Sequence, residues 1–406
     1  MNKVIIILSL ACLTLAQCSS KTNAFSALEK GKVLSRVCAG STENSYAVYI
    51  PKSAEEKPLP VIVCFDPKGD GTLPVNLFRM TAEKYKVMVV GSNVIKNGMP
   101  MQDVNYFANE LFKEIRQNMP VDSSQFYLAG FSGGSRVALY LATASVVPVK
   151  GVIACSAGGE ALRLNKNIVV AALTGDSDMN YLEMKQFADQ LGMYGISRVF
   201  YSLPSVHQWP DSNSLANAFA DIVVMGMANN NVPMDSVFVK QHYLFYNQQI
   251  NALSKSFNIK DSLKKAVSIA ANGARVFRNF TNFNKIELFR DSISSLPTVK
   301  ALFVEAEKME QAEKSGQEKI YQLYVSGHYN ELLNLLDKLA KEKKQNIVAS
   351  RLLAYCSLMS YSYVGRALQA NDLTLAKPLL EIYHRCDPQN KDYARFLERY
   401  KELGGQ

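Results

Sequence analysis

Histidine, cysteine and tryptophan are scarce in this chain of 406 residues, which has four histidines, seven cysteines and one tryptophan. The five cysteines beyond Cys18 are an odd number, and none of them has the spacing of metal ligands. The sequence therefore predicts neither a disulfide scaffold nor a zinc site. Cys64 and Cys155 lie inside apolar runs, and we expect both to be buried thiols.

Concentrated positive charge is also missing, although the formal net charge is +9. The basic residues are scattered along the chain. The densest run, "KEKKQ" (341–345), has no interleaved aromatic residues that could stack on bases. We interpret this run as the solvated end of a helix and predict no nucleic-acid partner.

The first residues, "MNKVIIILSLACLTLAQC" (1–18), have the pattern of an export signal. An apolar run follows Lys3, is too short for a typical membrane-spanning helix, and gives way to small residues. The ending "LAQC" resembles the lipobox of bacterial lipoproteins, which implies removal of 1–17 and lipidation of Cys18. Gln17 departs from the small residue usual there, and cleavage after Ala16 is the alternative. Either way we expect an exported, periplasmic or lipid-anchored protein of a bacterial cell envelope.

Short apolar runs alternate with longer amphipathic ones from about residue 33 to 225. Several of the short runs are continuously apolar and rich in β-branched residues, as strands buried on both faces are. Seven are predicted strands: "YAVYI" (46–50), "VIVCF" (61–65), "VMVVGS" (87–92), "FYLAG" (126–130), "GVIAC" (151–155), "IVVAALT" (168–174) and "RVFYSL" (198–203). Helical patterns such as 103–118 lie between strands. The alternation predicts a mostly parallel sheet with helices on both faces.

The alternation stops at "MANNNVPMDS" (227–236), which has the composition of a linker, and the residues after it have helical patterns. One candidate helix pair, 320–342, places two helical stripes on either side of Gly327. A second pair, 367–404, flanks "DPQN" and resembles a tetratricopeptide repeat. We predict an all-α, helical-repeat-like domain over 237–406, with a generic helical bundle as the alternative.

The stretch "GFSGG" (130–134) follows a predicted strand and precedes a helical pattern. It fits G-x-S-x-G, the nucleophile elbow of α/β-hydrolases. Strand and helix approach so closely at such a turn that side chains two residues either side of the serine would clash. Gly130 and Gly134 occupy those two positions, and Ser132 is the candidate nucleophile.

A serine hydroxyl needs a base to remove its proton. Three of the four histidines, His242, His328 and His384, lie in the helical region. Only His207 follows the candidate nucleophile within the sheet-forming part, in the loop "SLPSVHQWP" (202–210). His207 is the candidate base, and an ordinary surface histidine is the alternative.

The base needs a carboxylate that orients its imidazole. In the α/β-hydrolase order this acid lies between serine and histidine, in the loop after a strand, and "GDSD" (175–178) follows the predicted strand 168–174. The family pattern of glycine, two residues and aspartate selects Asp178. Asp176 is the competing candidate.

Backbone N–H groups must stabilise the oxyanion that forms during acyl transfer. The resemblance implies one donor at Gly133 and a second in the loop "FDPKGDG" (65–71), where family members often carry histidine and glycine. Pro67 has no N–H to donate. Lys68 or Gly69 is therefore expected to supply the second donor.

Taken together, these motifs make the stretch 33–225 resemble an exported α/β-hydrolase of the esterase and polyhydroxyalkanoate-depolymerase-like group, and we place this domain at 25–228. The resemblance covers about half the chain and includes "HQWP" (207–210). It implies hydrolysis of a carboxylic ester through an acyl-enzyme on Ser132, without a metal or organic cofactor. Trp209 either packs the histidine loop onto the domain or lines the substrate pocket.

Two other functions stay open. A compact serine peptidase would use the same catalytic residues on an amide bond. A surface-anchored binding protein would keep the hydrolase scaffold without turnover, and its helical region would present a surface to a protein partner. For the esterase, we expect a small or oligomeric ester outside the cytoplasm, such as an acylated saccharide or a short oligoester.

Overall fold

The computed structural model describes residues 29–55, 57–144, 147–256 and 259–405. Eight strands form one sheet in the order β1-β2-β4-β3-β5-β6-β7-β8. They are β1 (Val33–Val37), β2 (Ser45–Tyr49), β3 (Leu59–Phe65), β4 (Met88–Ser92), β5 (Val121–Phe131), β6 (Val149–Cys155), β7 (Val169–Gly175) and β8 (Arg198–Leu203). β2 pairs antiparallel with β1 and with β4, whereas the neighbours from β4 through β3, β5 and β6 to β7 pair in parallel.

The burial of each strand explains which strands could be predicted from the sequence. Every residue of β4 and of β7 is buried, as continuously apolar strands covered on both faces should be. All seven predicted runs are strands in the structure. β1 was not predicted, because it lies at the edge of the sheet and its last three residues are exposed.

Helices separate the later strands and make up the chain after β8. In the described residues they are α1 (Thr72–Leu77), α2 (Arg79–Tyr85), α3 (Met101–Asn118), α4 (Gly133–Ala144), α5 (Tyr181–Met193), α6 (Ser212–Ala228), α7 (Ser236–Ser254), α8 (Lys260–Val276), α9 (Lys285–Ser294), α10 (Pro297–Val325), α11 (Tyr329–Glu342), α12 (Ile347–Gln369), α13 (Leu373–Cys386) and α14 (Lys391–Glu402). None of these helices is both long and apolar enough to cross a bilayer. The predicted fold class, a mostly parallel sheet with helices between its strands followed by an all-α part, is confirmed.

By their contacts the described residues form two compact units. The first contains the residues up to Leu173, Met184–Tyr201 and Gln208–Ser294, and the second contains Thr174–Glu183, Ser202–His207 and the residues from Ser295 onward. The last residues of β7 and of β8 are therefore counted with the second unit. This division differs from the predicted domains, 25–228 and 237–406, which stay a prediction.

Within the first unit, Asp221 of α6 is a fully buried hydrogen-bonding centre. His242 Nε2 of α7 lies 2.6 Å from Asp221 Oδ1, and the Tyr246 hydroxyl donates to Asp221 Oδ2 at 2.9 Å. The Tyr201 hydroxyl of β8 also donates to this carboxylate. Because a buried charge is costly unless it is paired, these donors stabilise the carboxylate and link α6, α7 and β8.

The second unit contains both predicted helix pairs. α10 ends at Val325 and α11 begins at Tyr329, with Gly327 between them at a φ of 75°, a backbone conformation that glycine adopts without strain. α13 and α14 flank 387–390, where "DPQN" was predicted to separate two helices. The likeness to tetratricopeptide repeats stays a prediction.

Cys64 and Cys155 are buried free thiols, as the sequence predicts. Burial raises the pKa of both side chains well above the ordinary value of a thiol. Both therefore stay protonated and act as small apolar core residues, with no thiolate available as a nucleophile.

Candidate active site

Ser132 lies on a one-residue turn between β5, which ends at Phe131, and α4, which begins at Gly133. Its φ is 52°, in the left-handed region that side chains with a Cβ rarely adopt. The Ser132 N–H donates to the Cys155 carbonyl at 2.8 Å, which ties the turn to the end of β6. The strand, turn and helix expected around a nucleophile elbow are therefore present.

The two glycines flanking Ser132 allow the chain to approach itself at this turn. A Cβ on Gly134 would collide with the carbonyl oxygen of Phe65, at the end of β3. A Cβ on Gly130 would collide with the carbonyl oxygen of Gly134. This is the close approach of strand and helix that the sequence pattern predicts.

Gly133 is the first residue of α4, and the N–H groups of a first helical turn have no acceptor within the helix. A side chain at this position would collide with the Asn97 side chain. Asn97 is held in place by its own N–H, which donates to the Pro67 carbonyl at 2.9 Å. Asn97 could not be predicted from the sequence, because its approach to Gly133 depends on how a loop distant in the chain folds.

Asp178 and His207 are joined by a hydrogen bond in the second unit. His207 Nδ1 donates to Asp178 Oδ1 at 2.9 Å. The Asp178 side chain is fully buried and that of His207 is 22% exposed. The Asn180 N–H also donates to Asp178 Oδ1, at 2.8 Å, and so fixes the carboxylate. The competing candidate, Asp176, accepts instead from the Ser177 hydroxyl at 3.0 Å.

The loops that carry these two residues are joined by backbone hydrogen bonds. The Asp176 N–H donates to the Leu203 carbonyl at 2.7 Å, and the Ser177 N–H donates to the Ser205 carbonyl at 3.0 Å. A Cβ on Gly175 would collide with the Ser205 carbonyl oxygen. The glycine three residues before Asp178 therefore permits the approach of the histidine loop.

The loop after β3 is centred on Asp66, which is only 3% exposed. The Lys68 N–H donates to Asp66 Oδ1 at 2.8 Å, and the Gly69 N–H donates to the Asp66 carbonyl at 3.0 Å. Trp209 Nε1 donates to Asp66 Oδ2 at 2.8 Å, and its ring lies 5.7 Å from that of Phe131. Both candidate N–H donors of this loop are therefore engaged within it.

The predicted site residues fall into separate groups in the structure. The first unit contains Ser132, Gly133 and Lys68, together with Trp209, which is bonded to the loop of Lys68 through Asp66. The second unit contains the bonded pair of Asp178 and His207. Cys18 lies outside the described residues.

No protein-family model matches the sequence, and no curated protein matches it. Solved structures that resemble about half of the chain include the fluorophosphonate-binding serine hydrolase F (FphF) of Staphylococcus aureus. It is 15% identical, with a TM-score of 0.39 over 48% of this chain and 99% of its own. A hyperthermophilic esterase from the archaeon Pyrobaculum calidifontis is 13% identical, with a TM-score of 0.38 over 53% of this chain and 90% of its own.

A thermostable esterase from Pseudomonas putida is 12% identical to this chain, with a TM-score of 0.40 over 54% of this chain and 89% of its own. The identities and TM-scores of these three matches are low. They do not carry a reaction or a substrate from one chain to another. The chemistry of this protein therefore rests on its own residues.

We expect alanine at position 134 to destabilise the protein, because its methyl group would press on the backbone carbonyl of Phe65. Overpacking of this kind costs about 1–3 kcal/mol. Urea unfolding measures the change. Gly365→Ala is the matched control, because its Cβ would lie 3.5 Å from the Phe396 ring, an ordinary contact. This substitution should not lower the free energy of unfolding. Equal stability of Gly134→Ala and wild type would contradict the close approach at the turn.

Proposed function

We propose that this protein is a serine hydrolase that cleaves carboxylic esters, with Ser132 as nucleophile, His207 as general base and Asp178 as the acid that orients it. The hydrogen bond between His207 and Asp178 is the observation that carries this proposal. A buried carboxylate bound to Nδ1 of a partly exposed histidine is the arrangement of acid and base in a catalytic triad.

The hydrogen bond also determines which imidazole nitrogen carries the lone pair that the reaction uses. An ionised carboxylate can only accept hydrogen bonds, so the proton of neutral His207 resides on Nδ1. Nε2 then carries the lone pair that can accept the proton of a serine hydroxyl. The imidazolium formed in that step is stabilised by the Asp178 carboxylate.

The turn at Ser132 supports its role as the nucleophile. A side chain held at positive φ costs about 1–2 kcal/mol, and such strain is most often retained where a functional geometry requires it. Ser132, Asp178 and His207 each follow the carboxyl end of a strand, β5, β7 and β8 respectively. Ligand-binding and catalytic loops of open α/β sheets lie at the carboxyl ends of strands.

The reaction would proceed in two steps. Ser132 Oγ attacks the ester carbonyl as His207 Nε2 takes the hydroxyl proton, and the tetrahedral intermediate collapses when that proton passes to the departing alcohol. Water, deprotonated by His207, then attacks the acyl-enzyme and releases the carboxylic acid. No step requires a metal or an organic cofactor.

The oxyanion of each intermediate would accept a hydrogen bond from the Gly133 N–H, at the first turn of α4. Lys68 is the proposed second donor. Because its N–H donates to Asp66 Oδ1, this role requires the oxyanion to replace or share that carboxylate oxygen. Trp209, which is bonded to the same aspartate, is proposed to line the pocket for the acyl or alcohol group.

The proposed substrate is a small or oligomeric ester encountered outside the cytoplasm. This part of the proposal is supported by the N-terminal sequence, with its apolar run after Lys3 and its "LAQC" ending. On this basis we propose that the protein is exported and anchored through a lipid on Cys18. The C-terminal helices would offer a surface to a protein partner.

A fluorophosphonate probe should label the wild-type protein and fail to label Ser132→Ala, because the probe reacts with an activated serine hydroxyl. Gel fluorescence measures the labelling. Ser135→Ala is the matched control, since the buried Ser135 hydroxyl donates to the Ala157 carbonyl at 2.6 Å and has no proposed catalytic role; this variant should be labelled. An unlabelled wild type would instead favour a binding protein on a hydrolase scaffold.

Asp178→Asn should lower kcat for p-nitrophenyl acetate on the order of 10⁴-fold, because an amide at this position favours the wrong imidazole tautomer. Asp176→Asn should leave kcat nearly unchanged, because that carboxylate accepts a hydrogen bond from the Ser177 hydroxyl in its own loop rather than from His207. Steady-state kinetics on both variants distinguishes the two aspartates. The reverse order of effects would assign the acid to Asp176.

A further inference from the structure

Arg351 of α12 is a buried arginine that contacts the loop carrying Asp178. Its side chain is 3% exposed, and Nη1 donates to Glu313 Oε2 of α10 at 2.6 Å; Glu313 is fully buried. Arg351 Nε donates to the Asp176 carbonyl at 2.6 Å. Its guanidinium carbon lies 3.6 Å from the centre of the Tyr181 ring. All of these residues belong to the second unit.

Arg351 contacts residues on both sides of Asp178 in the chain. We define the acid loop as residues 176–181, which begins at the carbonyl that Arg351 bonds and ends at the ring that it covers. Within this loop the Tyr181 N–H donates to the Asp178 carbonyl at 3.0 Å. Arg351 therefore holds both ends of the short segment whose middle residue bonds His207.

Arg351 is better suited to holding this loop than to adding stability. Burial of an ion pair carries a desolvation cost for each ion, and apolar residues of the same volume are often as stable. A planar guanidinium, however, can pair with a carboxylate, donate to a carbonyl and stack on a ring at the same time. Arg351 makes all three contacts, and two of the three fix the acid loop.

The charge of Arg351 also offsets a carboxylate near Asp178. Burial raises the pKa of Glu313, the Arg351 guanidinium opposes this shift, and the negative charge of Asp178 adds to it. Arg351 lies between the helical core and the acid loop as the compensating cation.

We propose that Arg351 is a positioning residue that keeps the acid loop in place, so that Asp178 stays within hydrogen-bonding distance of His207. This inference rests on the proposed function. It assigns to the C-terminal helices a role in the hydrolase itself, in addition to any protein partner that their surface binds.

The most informative variant is Arg351→Met combined with Glu313→Leu, which replaces the ion pair by apolar side chains and so keeps the core filled. Arg351→Lys is the conservative variant, because a lysine retains the charge beside Glu313 but cannot make all three contacts. Arg385→Met is the matched control, since Arg385 forms an exposed ion pair with Asp337 in the same unit.

A second control accounts for general loss of stability. Tyr324→Phe removes a buried hydrogen bond to Ser360, 3.0 Å long, in the helical core of the second unit. Urea unfolding of the full-length variants shows which of them are folded under assay conditions. Only the variants at position 351 should affect the reaction.

We expect kcat for p-nitrophenyl acetate to fall on the order of 100-fold in the double variant, with KM little changed, because a misplacement of about 1 Å has effects of that size. The kcat of Arg351→Lys should lie between that of the double variant and that of wild type. Both controls should retain wild-type kcat. A folded double variant with wild-type kcat would overturn the proposal.

The downfield proton resonance of His207 Nδ1 provides a readout that is independent of turnover. We expect this resonance, assigned by its loss in His207→Gln, to disappear or shift in the double variant. The proton of the hydrogen bond between His242 and Asp221 is the internal reference in the same spectrum, and its resonance should stay unchanged. An unchanged His207 resonance in the double variant would also overturn the proposal.

The two readouts separate failure of this inference from failure of the proposed function. If the wild type neither hydrolyses esters nor reacts with a fluorophosphonate, the proposed function fails, and the resonance alone then decides whether Arg351 holds the pair. If the double variant does not fold, kcat and the His207 resonance of Arg351→Lys decide whether Arg351 holds the acid loop.

Discussion

The hydrogen bond between His207 and Asp178 brings a fully buried carboxylate to a partly exposed imidazole. A carboxylate in that position is unfavourable unless donors compensate for the lost water. Here the Asn180 N–H and the His207 ring both donate to the same oxygen. The proposed reaction depends on this bond, because it determines which nitrogen of His207 carries the lone pair that accepts a proton.

Backbone geometry, more than side-chain chemistry, makes this bond possible. The absence of a Cβ at Gly175 lets the carbonyl of Ser205 approach the acid loop, and backbone hydrogen bonds then join the two loops. The turn at Ser132 follows the same principle, since Gly134 admits the Phe65 carbonyl. In both places a glycine is required by a neighbouring carbonyl oxygen that a side chain would displace.

If Arg351 acts as proposed, the helices after residue 295 hold the acid loop in place. Helical regions attached to an enzyme are commonly interpreted as binding surfaces, which require no contact with catalytic loops. In the second unit, however, a buried arginine on α12 bonds the backbone of the acid loop directly. On the proposed role, substitution of this arginine lowers kcat although the arginine makes no contact with the substrate.

The sequence was sufficient for features that local patterns encode. Continuous apolar runs predict the buried strands. The stretch "GFSGG" between a predicted strand and a helical pattern predicts the turn at Ser132. The acid was selected by the chain order of the family that the sequence resembles and by its pattern of glycine, two residues and aspartate, and the base was selected by the scarcity of histidine. Asp178 and His207 are bonded in the structure as that selection implies, while their catalytic roles and that of Ser132 stay predictions.

Features that depend on distant parts of the chain could not be predicted. Arg351 and Asp176 are separated by 175 positions, and Trp209 and Asp66 by 143. Nothing in the local sequence around "ASRLLAY" (349–355) distinguishes Arg351 from an ordinary helix arginine. The exposed edge strand β1 was missed because a half-exposed strand has no continuous apolar run.

Trapping the acyl-enzyme tests whether Ser132 is the nucleophile. The full-length protein is mixed with excess p-nitrophenyl acetate, quenched with acid during turnover, digested, and mapped by mass spectrometry. The assignment of Ser132 as nucleophile predicts an acetyl group on Ser132 that disappears once the ester is consumed. Sustained turnover with Ser132 unmodified, or with a transient acetyl group on another residue, would contradict it.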